Sequence, residues 1–264
     1  TYTVTCTKNG CTSPVSDNAV VTVNPDVTAP NNGAAGDGDI CVGEQVSLTA
    51  TCGSGQTPTW YNNNTSNTGQ ITVLTFTPSV GNYSYYVGCK DNSNSCETLP
   101  ASRALVTLKV NAIPAAPTGV SVNNASICIG KSVLLSASCL TNETAQWYEG
   151  TTSIGTGSIL TYTPSSIGTK TYSVGCRNNT SGCETALVDR KPVSVVVNAI
   201  PTKLVVTGSG AICPGSSATL TASACDGVYL WSTTATSSSI TVSTAGTYTV
   251  TCTKNGCTSP VSDN

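Results

Sequence analysis

The chain of 264 residues has no histidine, no methionine and a single phenylalanine, and only 9% of its residues are charged. Without histidine it lacks the usual general base at neutral pH and the commonest metal ligand. Its 11 basic and 13 acidic residues form no run of one sign, which argues against a nucleic-acid surface or a polybasic membrane patch. No apolar run approaches the roughly 20 residues of a membrane-spanning helix. We therefore expect a non-catalytic segment with no cofactor, no metal, no nucleic-acid partner and no membrane insertion.

Repetition is the most prominent feature that the chain does have. Residues 1–18, TYTVTCTKNGCTSPVSDN, return unchanged as residues 247–264. This identity predicts that the chain is a segment of a longer repeating protein. Such proteins generally work through length and multivalency, so adjacent copies of the same repeat are the first partners we expect.

A shorter unit lies inside the long repeat. The strings CVGEQVSLTATC, CIGKSVLLSASC and CPGSSATLTASAC open three related stretches, and a VN dipeptide shortly before proline separates one stretch from the next. We predict a partial domain at 1–24, formed by the F–G hairpin of a preceding repeat. Domains 1, 2 and 3 are predicted at 25–111, 112–198 and 199–264, and domain 3 lacks the end of its last strand.

The apolar segments alternate with period two, as in Val46, Leu48 and Ala50. Alternation among Thr, Val and Tyr, interrupted by Gly and Asn turns, is typical of half-buried strands. A cysteine that ends one strand, a tryptophan soon after it and a second cysteine that follows a tyrosine form the pattern of an immunoglobulin-like sandwich. The sequence predicts tandem all-β immunoglobulin-like domains of about seven strands each. The predicted core aromatic residues are Trp60, Trp147, Trp231, Tyr85, Tyr172 and Tyr248.

Fourteen cysteines at recurring spacings indicate a disulfide framework and an oxidising, extracellular location. Cysteines that end strands B and F lie at the same pole of a sandwich. We therefore predict three core disulfides, which are Cys52–Cys89, Cys139–Cys176 and Cys225–Cys252.

Two arrangements of the remaining cysteines stay open. The A–B turn of one domain faces the F–G turn of the next, which favours Cys41–Cys183 and Cys128–Cys257 between domains. Cys213 would then bond the counterpart of Cys96 in the next repeat, and Cys6, Cys11, Cys96 and Cys213 would have no partner within the chain. The alternative places nested bonds inside each domain, namely Cys41–Cys96, Cys128–Cys183 and Cys213–Cys257.

Several strings resemble the Ig-like and PKD-like repeats of giant cell-surface proteins of Bacteroidota. They are ICVGEQVSLTA, ICPGSSATLTASA, YLWSTTATSSSITVSTAGTYTVT and NGCTS, together with the linker VNAIP. The resemblance implies a gliding-motility-type adhesin exported by the type IX secretion system. The function it implies is the stalk of a secreted cell-surface filament.

Two other functions compete with the stalk. Tyr61 and Tyr148 each follow an inward tryptophan and are expected to face outward, where they would suit an array of carbohydrate-binding modules on surface glycans. Alternatively, residues 1–24 would complete the sandwich of another chain in a pilus-like polymer. A calcium site at Asp37, Gly38 and Asp39 is less favoured than a simple turn.

Overall fold

The computed structural model describes residues 1–30, 32–34, 38–62, 66–69, 73–208 and 210–263. The chain forms two compact units, Thr1–Ala112 and Ile113–Asn264. Asp37, the first residue of the less favoured calcium site, lies outside the described residues. Within the described part of the chain, no helix has the length and apolarity that a membrane crossing requires.

The first unit contains a short N-terminal hairpin and domain 1. A 3-10 helix at Pro100–Ser102 precedes its last strand. Its strands are β1 Thr7–Lys8, β2 Cys11–Thr12, β3 Asn32–Ala34, β4 Asp39–Cys41, β5 Val46–Thr51, β6 Gln56–Asn62, β7 Ser66–Gly69, β8 Val73–Phe76, β9 Gly81–Asp91 and β10 Ala104–Asn111.

The second unit contains domains 2 and 3, with a 3-10 helix at Leu187–Asp189. Domain 2 consists of β11 Thr118–Val122, β12 Ser126–Cys128, β13 Val133–Ser138, β14 Glu143–Glu149, β15 Thr152–Thr156, β16 Ile159–Tyr162, β17 Gly168–Asn178 and β18 Lys191–Asn198. Domain 3 consists of β19 Val206–Thr207, β20 Ala218–Ala222, β21 Val228–Trp231, β22 Ser239–Val242, β23 Val250–Lys254 and β24 Cys257–Thr258.

Domains 1 and 2 have the same two-sheet architecture, which confirms the all-β immunoglobulin-like prediction. In domain 1 a three-stranded sheet, β3-β5-β8, packs on a five-stranded sheet, β4-β10-β9-β6-β7. Domain 2 repeats this with β11-β13-β16 and β12-β18-β17-β14-β15. Buried and exposed residues alternate strictly along β5, because one face of the strand packs on the core and the other faces water.

The last strand of each complete domain, strand G, ends beside a cysteine. Strand G is β10 in domain 1 and β18 in domain 2, and each pairs in parallel with the short strand that carries the first cysteine of its domain. Asn111 lies opposite Cys41 and Asn198 lies opposite Cys128. In both complete domains, therefore, an asparagine and a cysteine lie side by side at the end of strand G.

Domain 3 differs at this edge. Among its described residues, the second sheet has the order β21-β23-β24, with no counterpart of β10 or β18. Its strand F, β23, has 5 residues, whereas β9 and β17 have 11 each. Strand F pairs with strand G along its first half in domains 1 and 2, and β23 has no such pairing among the described residues.

Candidate functional site

Each domain has one tryptophan and one disulfide at its centre. The disulfides Cys52–Cys89, Cys139–Cys176 and Cys225–Cys252 have S–S distances of 2.03, 2.02 and 1.95 Å. All three tryptophans are buried. The indole Nε1 of Trp147 donates to the carbonyl of Gly157 at 3.0 Å, and that of Trp231 donates to Ser237 at 2.8 Å. These bonds satisfy the one polar group that a buried tryptophan carries.

The three tyrosines grouped as core residues do not occupy equivalent positions. Tyr85 and Tyr172 are buried, whereas Tyr248 is only half-buried. The Tyr248 hydroxyl donates to the Thr244 carbonyl at 3.0 Å, as Tyr83 donates to Ser79 at 2.8 Å. Tyr248 thus shares its hydroxyl contact with Tyr83, and it packs half-buried against the core of domain 3.

The candidate functional site is the junction between domains 2 and 3, where Cys128 and Cys257 form a disulfide. The S–S distance is 2.05 Å and the Cα atoms lie 5.6 Å apart, within the range of ordinary disulfides. Cys128 ends β12 beside Asn198, and Cys257 begins β24 in the F–G hairpin of domain 3. The Asn255 side chain of that hairpin donates to the Asn198 side chain at 3.2 Å. A covalent bond and a hydrogen bond thus join domain 2 to domain 3.

This junction excludes the nested arrangement of the cysteines. Cys128 cannot bond Cys183, and Cys257 cannot bond Cys213, because the two bond each other. Cys41 and Cys183 are also disulfide-bonded, and their pairing with each other stays a prediction. The described residues hold four free thiols, at Cys6, Cys11, Cys96 and Cys213, the four that the interdomain scheme leaves without a partner.

The proposed sugar-binding tyrosines are not exposed. Tyr61 and Tyr148 are 4% and 7% exposed, since an arginine covers the outer face of each ring. The Arg103 guanidinium carbon lies 3.3 Å from the centre of the Tyr61 ring, and the Arg190 carbon lies 3.5 Å from that of Tyr148. Stacking of this kind is a cation–π interaction. The ring faces that would stack on a sugar are therefore covered, which does not fit their expected role in sugar binding.

A glutamate completes each of these stacks. The Tyr61 hydroxyl donates to Glu97 and the Tyr148 hydroxyl to Glu184, both at 2.5 Å. Burial, followed by the hydrogen bond to the carboxylate, raises the pKa of each tyrosine to about 12. Sequence reasoning missed this cluster, although the recurring CET string at 96–98 and 183–185 marks the glutamate. In each complete domain the cluster covers the tyrosine ring with an arginine and holds its hydroxyl on a glutamate.

One group of possible metal ligands occurs among the described residues, formed by Cys139, Glu143 and Cys176. Its two sulfur atoms already bond each other. A disulfide sulfur is not the thiolate that binds metals, so this group is structural.

Comparison with solved structures found multidomain proteins at low sequence identity. The fibronectin(III)-like modules of Clostridium thermocellum CbhA align at 14% identity over 64% of this chain and 93% of theirs, with a TM-score of 0.43. Three N-terminal domains of the bacteriophage RB49 capsid protein Hoc align at 12% identity over 85% and 93%, with a TM-score of 0.30. The mouse nectin-like molecule 4 ectodomain aligns at 13% identity over 89% and 94%, with a TM-score of 0.31. No match was found among curated protein sequences.

A family model matches the two complete domains directly. The model described as "Ig-like domain CHU_C associated" covers residues 28–111 and again residues 114–198. These spans correspond to the two complete sandwiches and together make up more than half of the chain. The chain therefore belongs to the CHU_C-associated Ig-like domain family.

Proposed function

We propose that this chain is part of the stalk of an extracellular filament or adhesin on a cell surface, with a mechanical and non-catalytic role. The observation that carries the proposal is the Cys128–Cys257 disulfide between consecutive domains. A bond at this place fixes one domain to the next, as a stalk requires and an independent binding module does not. The repeat of residues 1–18 at 247–264 supports a function that depends on length.

The disulfide also defines a path for force through the second unit. Tension along the chain enters domain 2 and reaches Cys128, where the covalent bond carries it directly to Cys257. The 129 residues of separation between these cysteines are bypassed. The core disulfides Cys139–Cys176 and Cys225–Cys252 already close 37 and 27 of these residues, so the rest would otherwise extend by roughly 215–235 Å. Domain 3 and most of domain 2 therefore bear no stretching load while the bond is intact.

The disulfides and the immunoglobulin-like fold together favour an extracellular location. Structural disulfides persist outside the cell and are rare in a reducing cytosol. Thr, Ser and Asn take the place of charged groups on much of the surface, since charged residues are only 9% of the chain. Anchoring to a cell surface and export by a dedicated secretion system belong to the proposal, as implied by the family resemblance.

Single-molecule stretching of the chain tests the mechanical role. The oxidised chain is expected to extend by roughly 215–235 Å less than the Cys128→Ala/Cys257→Ala variant, in which the core disulfides Cys139–Cys176 and Cys225–Cys252 stay closed. Cys6→Ala/Cys11→Ala serves as the matched control, because both thiols are free, and it is expected to extend like the unaltered chain. Equal extension of the oxidised chain and the Cys128/Cys257 variant would contradict the proposed force path.

Antibody labelling of intact producing cells tests the location. An antibody against domain 2 is expected to label unpermeabilised cells and to mark filaments in electron micrographs. Labelling that appears only after permeabilisation would contradict an extracellular stalk.

A further inference from the structure

Domain 2 has a polar cavity of about 450 Å³ on the outer face of its five-stranded sheet. Successive residues of β14 point to opposite faces of the sheet, so Thr144 and Gln146 point away from the core that buries Trp147. Thr144 lies opposite Arg177 on β17, and Gln146 lies opposite Thr156 on β15. The turn between strands F and G closes one end, and the volume lies within the range of small-ligand pockets.

Hydrogen bonds hold the side chains that line this polar cavity. The Thr144 hydroxyl donates to Asn179 Oδ1 at 2.8 Å, and Asn178 Oδ1 accepts two backbone amides of the turn at 3.0 Å each. The Gln146 amide group donates to the Ser153 hydroxyl at 2.5 Å. A ligand would therefore meet side chains that are already ordered, which reduces the entropy cost of binding.

The same glutamine leaves one acceptor for a ligand. Gln146 is 8% exposed, and both of its hydrogen bonds use Nε2, one to Ser153 and one to the Gly155 carbonyl. Its Oε1 atom accepts no hydrogen bond from the described residues. A buried amide oxygen without a donor is stabilised when a ligand supplies a hydroxyl.

Arg177 gives the polar cavity a positive charge. Its Nε atom lies 3.9 Å from Glu184 Oε1, and its side chain is 54% exposed. Glu184 also accepts from the Tyr148 hydroxyl at 2.5 Å and from Arg190 Nη2 at 3.3 Å. One carboxylate thus serves two guanidinium groups and neutralises only one charge. No carboxylate lines the polar cavity among the described residues, so the site favours an anion.

The remaining lining groups indicate which anion. Apart from Gly182, every lining residue carries a hydroxyl, an amide or a charge. An arginine with unused N–H groups matches a carboxylate, while hydroxyl and amide side chains match the hydroxyls of a sugar ring. An acidic peptide would also supply carboxylates, but the lining offers no apolar surface for its other side chains. The combination therefore fits a sugar that carries a carboxylate.

Domain 1 has the opposite charge at the corresponding place. Asp91 takes the position of Asn178, two residues after the core cysteine of strand F. The Ser93 hydroxyl and amide donate to Asp91 at 2.6 and 2.8 Å and hold the pKa of its carboxyl below the usual range. The preceding Lys90 pairs with Glu97 at 3.5 Å. A negative charge at this turn repels an anion, so domain 1 lacks the feature that favours binding in domain 2.

We propose that the polar cavity of domain 2 binds a uronic acid residue of an acidic polysaccharide. Arg177 pairs with the sugar carboxylate, and Gln146 and Thr156 bond its hydroxyls. This site goes beyond the mechanical function and does not rest on it. In a stalk, it would attach the segment to an acidic polysaccharide through a side face of domain 2.

Nuclear magnetic resonance of the isotopically labelled 264-residue chain tests the site. Tetragalacturonate and a glucuronate-containing tetrasaccharide serve as the probes, and at least one is expected to shift the amide signals of Thr156, Arg177 and Gly182. The signals of Asp91 and Ser93 in domain 1 are expected to stay in place. Fully methyl-esterified tetragalacturonate keeps the ring hydroxyls but has no charge, and it is expected to bind roughly tenfold more weakly or worse.

Matched variants in the two domains test the charges. Asn178→Asp installs the residue of domain 1, where Asp91 accepts bonds within the same turn, so the fold is expected to be retained. This variant and Arg177→Gln are each expected to raise the Kd roughly tenfold or more. Lys90→Gln changes the corresponding cation of domain 1 and is expected to leave the Kd within about twofold of the parent.

Several outcomes would overturn the proposal. They are the absence of shifts with both tetrasaccharides, equal binding of the methyl ester, equal shifts with inorganic sulfate at the same concentration, and an unchanged Kd in Arg177→Gln. Each of them would leave the force path through Cys128 and Cys257 intact. The failure of this proposal is therefore distinguishable from failure of the stalk function.

Discussion

The same sequence occupies residues 1–18 and residues 247–264, with the same local hydrogen bonds and opposite exposure. The Cys6 amide donates to the Ser13 hydroxyl at 3.0 Å, and the Cys252 amide donates to the Ser259 hydroxyl at 3.0 Å. Val4 is nevertheless 71% exposed, whereas its counterpart Val250 is 1% exposed. The hairpin is therefore encoded locally, and its burial depends on the strands that surround it.

The two copies of this hairpin separate the stability that its local sequence provides from the stability that the surrounding strands provide. In domain 3, β23 pairs with β21 and packs against Trp231. The N-terminal copy is a two-stranded sheet with exposed strands, an arrangement that is marginal in water. Equivalent substitutions in the two copies share local sequence and differ only in tertiary context. Each pair of variants therefore isolates the tertiary contribution.

Of the paired substitutions in the two copies, the one at the interdomain disulfide is expected to give the largest difference in the free energy of unfolding. Cys257→Ala breaks a disulfide between cysteines that lie 129 residues apart in the sequence. On the chain-entropy estimate, this change is expected to reduce the free energy of unfolding by about 4–5 kcal/mol. Cys11→Ala changes the same sequence position, but it removes a free, exposed thiol and is expected to have an effect below about 0.5 kcal/mol. Urea unfolding followed by tryptophan fluorescence measures both. A similar loss in the two variants would contradict the junction.

The second-largest difference in stability loss between the two copies is expected at the core disulfide of domain 3. Cys252→Ala breaks a disulfide between cysteines that lie 27 residues apart, which is expected to reduce the free energy of unfolding by about 3–4 kcal/mol. Cys6→Ala is the matched control and is expected to leave unfolding unchanged. Thermal unfolding by circular dichroism distinguishes them, and an unchanged melting temperature for Cys252→Ala would contradict the core assignment.

The repeats and the fold were predictable because they depend on local and periodic signals. Alternation along Val46, Leu48 and Ala50 predicts a strand with one buried face, and the structure has β5 there. The Cys128–Cys257 bond was one of two arrangements that the sequence left open, because facing A–B and F–G turns favour a bond between domains but do not exclude a bond within one domain.

The surroundings of Tyr61 were not predictable in the same way. Alternation predicted that Tyr61 points away from Trp60, but it contained no information about Arg103, which comes from a distant part of the chain and covers the ring. The covering of the Tyr61 ring is a matter of tertiary context, as is the contrast between the two copies of residues 1–18.

The third difference in stability loss between the two copies concerns one valine, which is buried in the second copy and exposed in the first. Val250→Ala is expected to cost about 2–3 kcal/mol, because it removes buried methyl groups opposite Trp231 and leaves a cavity. Val4→Ala is expected to change stability by less than about 0.5 kcal/mol. Hydrogen exchange of the β21 and β23 amides reports the local loss. Faster exchange in Val4→Ala than in Val250→Ala would reverse the comparison.

The smallest difference is expected at the hydroxyl that both copies use in the same way. Ser259 is 6% exposed and accepts from the buried Cys252 amide, so Ser259→Ala leaves that amide without its side-chain acceptor. We expect a loss of about 1–2 kcal/mol, the usual penalty for a buried polar group that loses its partner. In Ser13→Ala, water replaces the hydroxyl at the exposed Cys6 amide, and the change is expected to be below about 0.5 kcal/mol. Chemical denaturation of the two variants side by side measures the difference. Equal losses would mean that the serine stabilises the hairpin locally, without help from burial, and the contrast between the two copies would then lie in packing alone.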